Sequence, residues 1–199
     1  AVTASATDTT GGRVLRVAAG RLDDMGMKDV AERSGVALGT IYRYFSSKDH
    51  VAAAALLEWA RPLDGQRAQG GPGAAGGRGG GGSSSTGDDT MADRLVAILH
   101  RAVRAYQRQP AFARLLILAA TSTDPFASEC YAQMGASVYG TLGAALGDLD
   151  PVDRRRVLDV VGAVWYQAMI EWVNDRKTIA QVYEAVESAA RLVLASYER

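Results

Sequence analysis

The sequence is poor in the residues that build metal sites and disulfides. Among its 199 residues are one cysteine, Cys130, and two histidines, His50 and His100. One cysteine cannot form an internal disulfide, and so few ligands do not predict a His/Cys metal cage. No apolar run approaches the roughly 18–20 residues of a membrane span, and the first residues lack the basic and apolar regions of a secretory signal. We therefore expect a cytoplasmic protein with no metal, no other cofactor and no membrane partner.

An excess of positive charge is also missing, because 22 Lys and Arg residues are balanced by 22 Asp and Glu residues. A protein that coats DNA regardless of sequence needs a large positive excess, so that class is excluded, whereas a local DNA-reading surface is not. Catalytic patterns such as Ser/His/Asp, HExxH or paired carboxylates do not occur at motif spacing. We expect no enzymatic activity and assign no catalytic residue.

Helical periodicity runs through most of the chain. Apolar residues recur every three to four positions, which is typical of an amphipathic helix. This pattern covers 12–24, two short stretches and a longer one within 27–63, and the chain after residue 90. No segment alternates apolar and polar residues with period two between turn signals. The predicted fold class is therefore all-α.

Residues 65–89, GQRAQGGPGAAGGRGGGGSSSTGDD, interrupt the helical pattern. Gly, Ala and Ser bury little apolar area and cannot offset the entropy of ordering, so we predict a flexible linker. A phosphate-binding loop is the alternative. Such a loop needs GxxxxGK[ST] between a strand and a helix, and this segment has no such lysine and no preceding strand.

Start and stop signals divide the second half of the chain into helices. Pro110 ends one helix because proline lacks the backbone donor. Asp124-Pro125 and Asp150-Pro151 each pair an N-cap residue with proline at the first helical position, and Thr178-x-x-Gln181 is a capping box. These signals predict helices over about 90–109, 111–121, 125–146, 151–174 and 178–197.

Residues 27–48, MKDVAERSGVALGTIYRYFSSK, carry the most informative spacing in the chain. Ala31 is small enough for a second helix to cross closely, Gly35 can adopt the left-handed backbone of a sharp turn, and Ile41 follows six residues later as an inward apolar residue. This spacing predicts a helix-turn-helix, whose second helix, about 37–45, enters the DNA major groove.

Side chains on that second helix suit DNA contact. Arg43 can form a bidentate pair with guanine, and Gly39 allows the backbone to approach DNA closely. Hydroxyls of Thr40, Tyr42 and Tyr44 can reach phosphates or base edges. Lys48 follows a predicted N-cap, Ser47, where an ammonium and free amides favour a phosphate. The alternative is that the aromatic residues belong to the core, which we expect for Phe45.

The stretch VAERSGVALGTIYRYFSSKDHV resembles the DNA-binding signature of the TetR family of bacterial transcriptional repressors. The resemblance implies an all-helical dimer with a three-helix DNA-binding domain and a larger ligand domain. In this family a small molecule bound by the ligand domain usually releases the operator. It also implies that Thr40, Tyr42, Tyr44 and Lys48 contact phosphates, and that Ala37, Leu38, Gly39 and Arg43 approach bases. A dimer predicts an imperfectly palindromic operator in double-stranded DNA.

The chain departs from the family pattern at two places. The connection RLDDMGMKDV between the first helix and the helix-turn-helix is shorter than in most members, either in the natural protein or because residues are absent from this sequence. Ala37 stands where a serine N-cap is frequent, which costs roughly 0.5–2 kcal/mol of helix stability. The predicted domains are a helix-turn-helix domain (12–47), a connecting helix (48–64), the linker (65–89) and a ligand-binding and dimerisation domain (90–199).

The last two predicted helices carry broad apolar faces. By resemblance, helices 151–174 and 178–197 form half of a four-helix dimer bundle, and burial within one subunit is the alternative. The ligand-pocket candidates are overwhelmingly apolar, which favours a small hydrophobic effector, although such residues can also be ordinary core. These candidates are Phe112, Leu115, Leu116, Leu118, Met134, Val138, Leu142, Trp165, Tyr166 and Met169.

The stretch RQPAFARLLILAATSTDPFASECYAQM further resembles the branch of the family that represses steroid and cholesterol catabolism. That resemblance implies a fatty or steroid acyl-CoA as effector. Arginines 94, 101, 104 and 108 could then hold a CoA phosphate, or could form a solvated helix face. A drug-like or aromatic effector, and a helical dimer with a degenerate DNA-binding head, are the alternative functions.

Overall fold

A computed structural model of the chain describes residues 9–21, 26–69, 89–147 and 149–198. Across these residues the protein has nine α-helices and no strand, which confirms the all-α prediction. Within the same ranges no helix combines the length and hydropathy that a bilayer crossing requires. Most of the predicted linker, residues 70–88, and residues 22–25 of the short connection lie outside the described residues.

The helices follow the chain order predicted from their start signals. Four precede the Gly-rich segment: α1 Thr9–Arg21, α2 Met27–Ser34, α3 Leu38–Tyr44 and α4 Lys48–Gln69. Five follow it: α5 Met91–Arg108, α6 Pro110–Thr121, α7 Pro125–Ala145, α8 Pro151–Val173 and α9 Ile179–Leu194.

The predicted caps form as hydrogen bonds. At the start of α8, the Asp150 carboxylate accepts from the amides of Val152 and Asp153 at 2.8 and 3.2 Å. At the start of α9, the Thr178 hydroxyl accepts from the Gln181 amide, and the Gln181 side chain accepts from the Thr178 amide at 2.8 Å. Each cap satisfies amides that have no partner inside the helix.

Two helix ends differ from the sequence prediction. Helix α1 begins at Thr9 and not at residue 12, whereas its predicted end at 22–24 lies outside the described residues. Gly11 in its first turn is buried, so tertiary packing outweighs the low helix propensity of glycine there. Helix α4 continues to Gln69, which places 65–69 in a helix and not in the predicted linker. These five residues, GQRAQ, contain one glycine, and Gln, Arg and Ala are good helix formers.

The chain divides into two compact units, Ala1–Pro62 with Ala105–Val138, and Leu63–Arg104 with Tyr139–Arg199. In the first, α1 packs on α2, α3 and α6. Its core includes Val14, Val30 and Ile41, none more than 1% exposed. In the second, α8 packs along α9, and Val161 with Val182 lies in its core. Each unit therefore has an apolar core of its own. Burial of each Val or Ile side chain contributes roughly 1.5–3 kcal/mol to the free energy of unfolding.

Candidate nucleic-acid interface

The turn between α2 and α3 has the geometry that the sequence predicted for Gly35. This glycine adopts φ 65° and ψ 23°, in the left-handed region. Its amide donates to the Glu32 carbonyl at 3.4 Å, and the Val36 amide donates to the Ala31 carbonyl at 3.2 Å. This pair of bonds is a Schellman motif, which ends α2 and turns the chain into α3.

Helix α3 is anchored by its inward residues. Ile41 is fully buried and Phe45 is 1% exposed, which confirms the prediction that Phe45 belongs to the core. At the N-terminal end, the Ala37 carbonyl accepts from the amides of Thr40 and Ile41, and no side chain caps the helix. The short helix is therefore held mainly by packing, as expected for seven residues that lack a capping side chain.

The outward face of α3 presents the side chains proposed for DNA contact. Tyr42 is 51% exposed, and Arg43 is also exposed and forms no ion pair among the described residues. Ala37 and Gly39 share this exposure, whereas the remaining candidates are half-buried: Leu38, Thr40, Tyr44 and Lys48. Because Ile41 takes the inward position, the phenol of Tyr42 faces solvent and is not core.

Gly39 lies in the first turn of α3 with open space around it. A Cβ built on this residue meets no atom within 4 Å, and its φ is not in the left-handed region. The chain itself therefore does not require glycine at this position. If glycine is required at position 39, the steric restriction must come from a molecule outside the chain, such as a DNA backbone.

Gly39→Ala is expected to change stability and DNA affinity in opposite directions. Alanine in a helix stabilises it by about 0.5–1 kcal/mol relative to glycine, while the added methyl group should weaken operator binding by roughly fivefold or more. Thermal unfolding and DNA titration measure the two effects. Gly140→Ala is the matched control, since Gly140 in α7 also has open space, and should stabilise without changing DNA affinity. Unchanged affinity in Gly39→Ala would refute the close approach.

The start of α4 confirms the predicted N-cap. The Ser47 hydroxyl accepts from the His50 amide at 3.1 Å, and the Ser47 carbonyl accepts from the Val51 amide. Lys48 is the first residue of the helix. The first turn of α4 therefore contributes both the Lys48 ammonium group and the positive end of the helix dipole. Both features favour binding of a phosphate.

A polar cluster behind this turn was missed by the sequence reasoning, which assigned Asp124 only as an N-cap and gave His50 no structural role. One oxygen of Asp124 does cap α7, accepting from the Phe126 amide at 2.8 Å. The other accepts from the Ser46 hydroxyl at 2.8 Å. The imidazole of His50 lies between the rings of Phe45 and Phe126, with centroids 5.3 and 5.4 Å away.

The electrostatics of this cluster follow from its hydrogen bonds. Burial alone would raise the pKa of Asp124, but the hydroxyls of Ser47 and Ser46 donate to the carboxylate and, with the backbone donors of α7, lower that pKa to about 2. Partial burial lowers the pKa of His50, against the opposing charges of Asp124 and Glu129. Its Nδ1 faces the Ser46 amide at 3.2 Å, which fits a neutral imidazole that accepts there.

The ligand-pocket candidates belong to both compact units. In the first unit Phe112, Leu115, Leu116 and Met134 are buried, while Leu118 and Val138 are half-buried. Phe112 stacks on Trp59 with centroids 4.5 Å apart. In the second unit Leu142 and Met169 are buried, while Trp165 and Tyr166 are half-buried. Burial of this degree fits ordinary core as well as a pocket wall, so their assignment stays a prediction.

Several polar residues have partners within the protein. Arg94 donates to the carbonyls of Ala145 and Asp89 at 3.1 and 2.7 Å, so it has a structural role. The arginines predicted to hold a phosphate are thereby reduced to the exposed arginines 101, 104 and 108.

Cys130 is 7% exposed, and burial raises the pKa of its thiol. This setting disfavours a thiolate and therefore a redox sensor.

Comparisons with known proteins decide the family. A profile for "Bacterial regulatory proteins, tetR family" matches residues 22–55, and one for "Tetracyclin repressor-like, C-terminal domain" matches residues 88–193, more than half of the chain. The chain belongs to the TetR family. It is therefore a transcription regulator with a DNA-binding helix-turn-helix formed by α2 and α3, and this family is one of regulators and not of enzymes.

Among TetR-family relatives, the chain is similar to the transcriptional repressor KstR. It is 29% identical to KstR of Rhodococcus jostii over 174 residues, which cover 87% of this chain and 74% of the relative. Identity to KstR of Mycolicibacterium smegmatis is 27%, over 87% and 78%. Within the TetR family, the chain therefore resembles the repressors named KstR.

Solved structures show the same fold. A TetR regulator from Rhodococcus sp. RHA1 has a TM-score of 0.75 at 20% identity, covering 96% of this chain and 98% of that one. FadR from Bacillus subtilis, in complex with stearoyl-CoA, has a TM-score of 0.65 at 15% identity, over 94% and 97%. At these identities the likeness concerns the arrangement of helices.

Proposed function

We propose that this TetR-family protein is a repressor that binds a palindromic operator as a homodimer and is released by a small hydrophobic ligand. The outward face of α3 carries the proposal. Its polar and cationic side chains, Tyr42 and Arg43, are exposed while Ile41 and Phe45 anchor the same helix in the core. A rigid helix that presents such groups outward is suited to a major groove.

Roles within the interface follow from side-chain chemistry. Arg43 is assigned to a guanine because its guanidinium matches the two acceptors on that base. Thr40, Tyr42, Tyr44 and Lys48 are assigned to phosphates, which fix the register of the helix on DNA. The remaining candidates at the helix start, Ala37, Leu38 and Gly39, bring the backbone close to the bases.

The dimer is assigned to α8 and α9, which pack on each other and expose apolar side chains on their free faces. Val160 of α8 is 49% exposed and Leu192 of α9 is 77% exposed. Ala163 of α8 is also exposed, and a small residue lets a partner helix approach closely. Two copies of this helix pair would bury these faces as a four-helix bundle.

A footprint on DNA from upstream of the protein's own gene tests the operator geometry. A dimer should protect two half-sites of an imperfect palindrome, centred about 34–36 Å apart or somewhat more. An asymmetric footprint over one half-site would contradict the dimeric arrangement. A full absence of sequence preference would favour a helical dimer with a degenerate head.

The effector is proposed to be hydrophobic, with a fatty or steroid acyl-CoA as the chemical class. Most of the pocket candidates are apolar side chains, relatives named KstR cover most of the chain, and the FadR neighbour holds stearoyl-CoA. Within the described residues the Tyr166 hydroxyl is buried without a hydrogen-bond partner. A ligand carbonyl would provide the acceptor that this hydroxyl lacks.

Tyr166→Phe is expected to reduce effector affinity by roughly five- to tenfold, because the ligand loses one buried hydrogen bond. DNA affinity and thermal stability should not fall, since no protein group loses a partner. Release of labelled operator by stearoyl-CoA and by a steroid acyl-CoA measures the effect. Tyr139→Phe is the control: the Tyr139 hydroxyl donates to Asp159 at 2.8 Å, so its loss should affect stability and not release. Equal release by Tyr166→Phe and the unchanged protein would remove Tyr166 from the pocket.

A further inference from the structure

The turn that follows the DNA-reading helix is tied to the start of α7 by a single carboxylate. Asp124 uses one oxygen to cap α7, accepting from the amides of Phe126 and Ala127 at 2.8 and 3.1 Å. Its other oxygen accepts from the hydroxyl of Ser46 at 2.8 Å, across 78 positions of sequence. Both oxygens are therefore engaged in a fixed geometry, and the first turn of α7 cannot shift without breaking the bond to Ser46 or moving Ser46 with it.

Two further contacts join the same elements. The Ser122 hydroxyl, just before α7, donates to the Asp49 carboxylate at 2.7 Å and accepts from the Asp124 amide at 3.1 Å. The imidazole of His50 stacks on Phe126 with an interplanar angle of 17°. The connection between the α3–α4 turn and the start of α7 is thus polar on one side and aromatic on the other. The Ser47 hydroxyl also donates to the Asp124 carboxylate. We refer to Ser46, Ser47, Asp49, His50, Ser122, Asp124 and Phe126 as the α7 latch.

We infer that Asp124 is a positioning residue for DNA binding: through Ser46 it holds the C-terminal end of α3 and so sets operator affinity. Ser46 directly follows Phe45, the C-cap residue of α3, so a displacement at the start of α7 reaches the DNA-reading helix within two residues. A hydrogen bond to a carboxylate is roughly twice as strong as a neutral one, which suits a contact that must hold against thermal motion. The inference rests on the proposed function, since it concerns how α3 is held for DNA.

Hydrogen exchange of the free, full-length protein tests the latch without DNA. Asp124→Ser keeps a good N-cap for α7 but has one oxygen, which cannot cap and also reach Ser46. Amides of peptides covering 38–47 should exchange about tenfold faster in this variant. Asp150→Ser is the matched control, because Asp150 also precedes a proline and caps its own helix, and it should leave those peptides unchanged. Equal exchange in both variants and the unchanged protein would overturn the inference.

A double-mutant cycle then connects the latch to DNA. Ser46→Ala and Asp124→Ser should each lower affinity for the operator by roughly five- to tenfold, and the double variant should lose no more than the weaker-binding single variant. Binding to scrambled DNA should be the same in all. Losses that multiply in the double variant would show that the two residues act independently and would overturn the inference. If the unchanged protein showed no sequence preference, the proposed function would fail, and the exchange measurement would still decide the latch.

Discussion

Leu192→Asp is expected to convert the proposed dimer to a monomer and to lower operator affinity by at least about a hundredfold. Leu192 is 77% exposed on α9, and Val160 of the neighbouring α8 is 49% exposed. In the proposed dimer a carboxylate at this position would be buried in the interface without a counter-charge, which opposes association. A monomer also loses the gain in affinity that comes from linking two DNA-reading helices.

Light scattering coupled to size exclusion measures the mass, and titration of labelled operator measures the affinity. Ala97→Asp is the control, since Ala97 is exposed on α5 and the same class of substitution there should leave the dimer intact. A Leu192→Asp protein that stayed dimeric and bound operator normally would show that the exposed faces of α8 and α9 do not form the interface.

Arg43→Ala is expected to relax sequence preference and to reduce affinity for the operator. A bidentate arginine–guanine pair contributes about 1–3 kcal/mol of discrimination, and a dimer presents two of them. The loss is then roughly thirtyfold or more for the operator, with little change on scrambled DNA. Arg43 is exposed on α3, so its replacement should leave the unfolding temperature almost unchanged.

Lys48→Ala provides the contrast with Arg43→Ala. A phosphate contact carries no sequence information, so its loss should weaken binding to operator and scrambled DNA alike and reduce the salt slope by about 1 for each subunit. Titrations at several salt concentrations separate the two cases. An unchanged salt slope in Lys48→Ala would contradict its phosphate role, and an Arg43→Ala protein with unchanged base preference would contradict direct readout by that residue.

Local chemistry in the sequence was sufficient to predict most of the fold. Gly35 is one example, because a left-handed residue between two helices is a local requirement, and the structure has φ 65° there. The caps at Asp150 and Thr178 are others, since each bonds within three residues of its own position. The inward position of Ile41 followed from spacing alone and agrees with its complete burial.

What the sequence could not predict depends on contacts between distant residues. The cap at Asp124 was predicted, but its second oxygen bonds to Ser46, which is 78 positions away. The sequence predicted that arginines 94, 101, 104 and 108 act together on one face of a helix. In the structure Arg94 instead donates a hydrogen bond to the Ala145 carbonyl, 51 positions away. The sequence also could not distinguish a pocket residue from a core residue. An apolar side chain such as Met169 fits both, because both positions are buried in apolar surroundings.

Fluorescence anisotropy tests the central claim, that α3 of this TetR-family protein binds a specific operator which a hydrophobic ligand releases. The full chain would be titrated at fixed salt onto labelled DNA from upstream of its own gene, with scrambled DNA as control. It would then be challenged with fatty and steroid acids and their CoA esters. We expect tight binding to the upstream DNA alone, and release by one acyl-CoA class. Equal binding to both DNAs would contradict the operator, and specific binding that no compound in the panel releases would contradict the lipid effector.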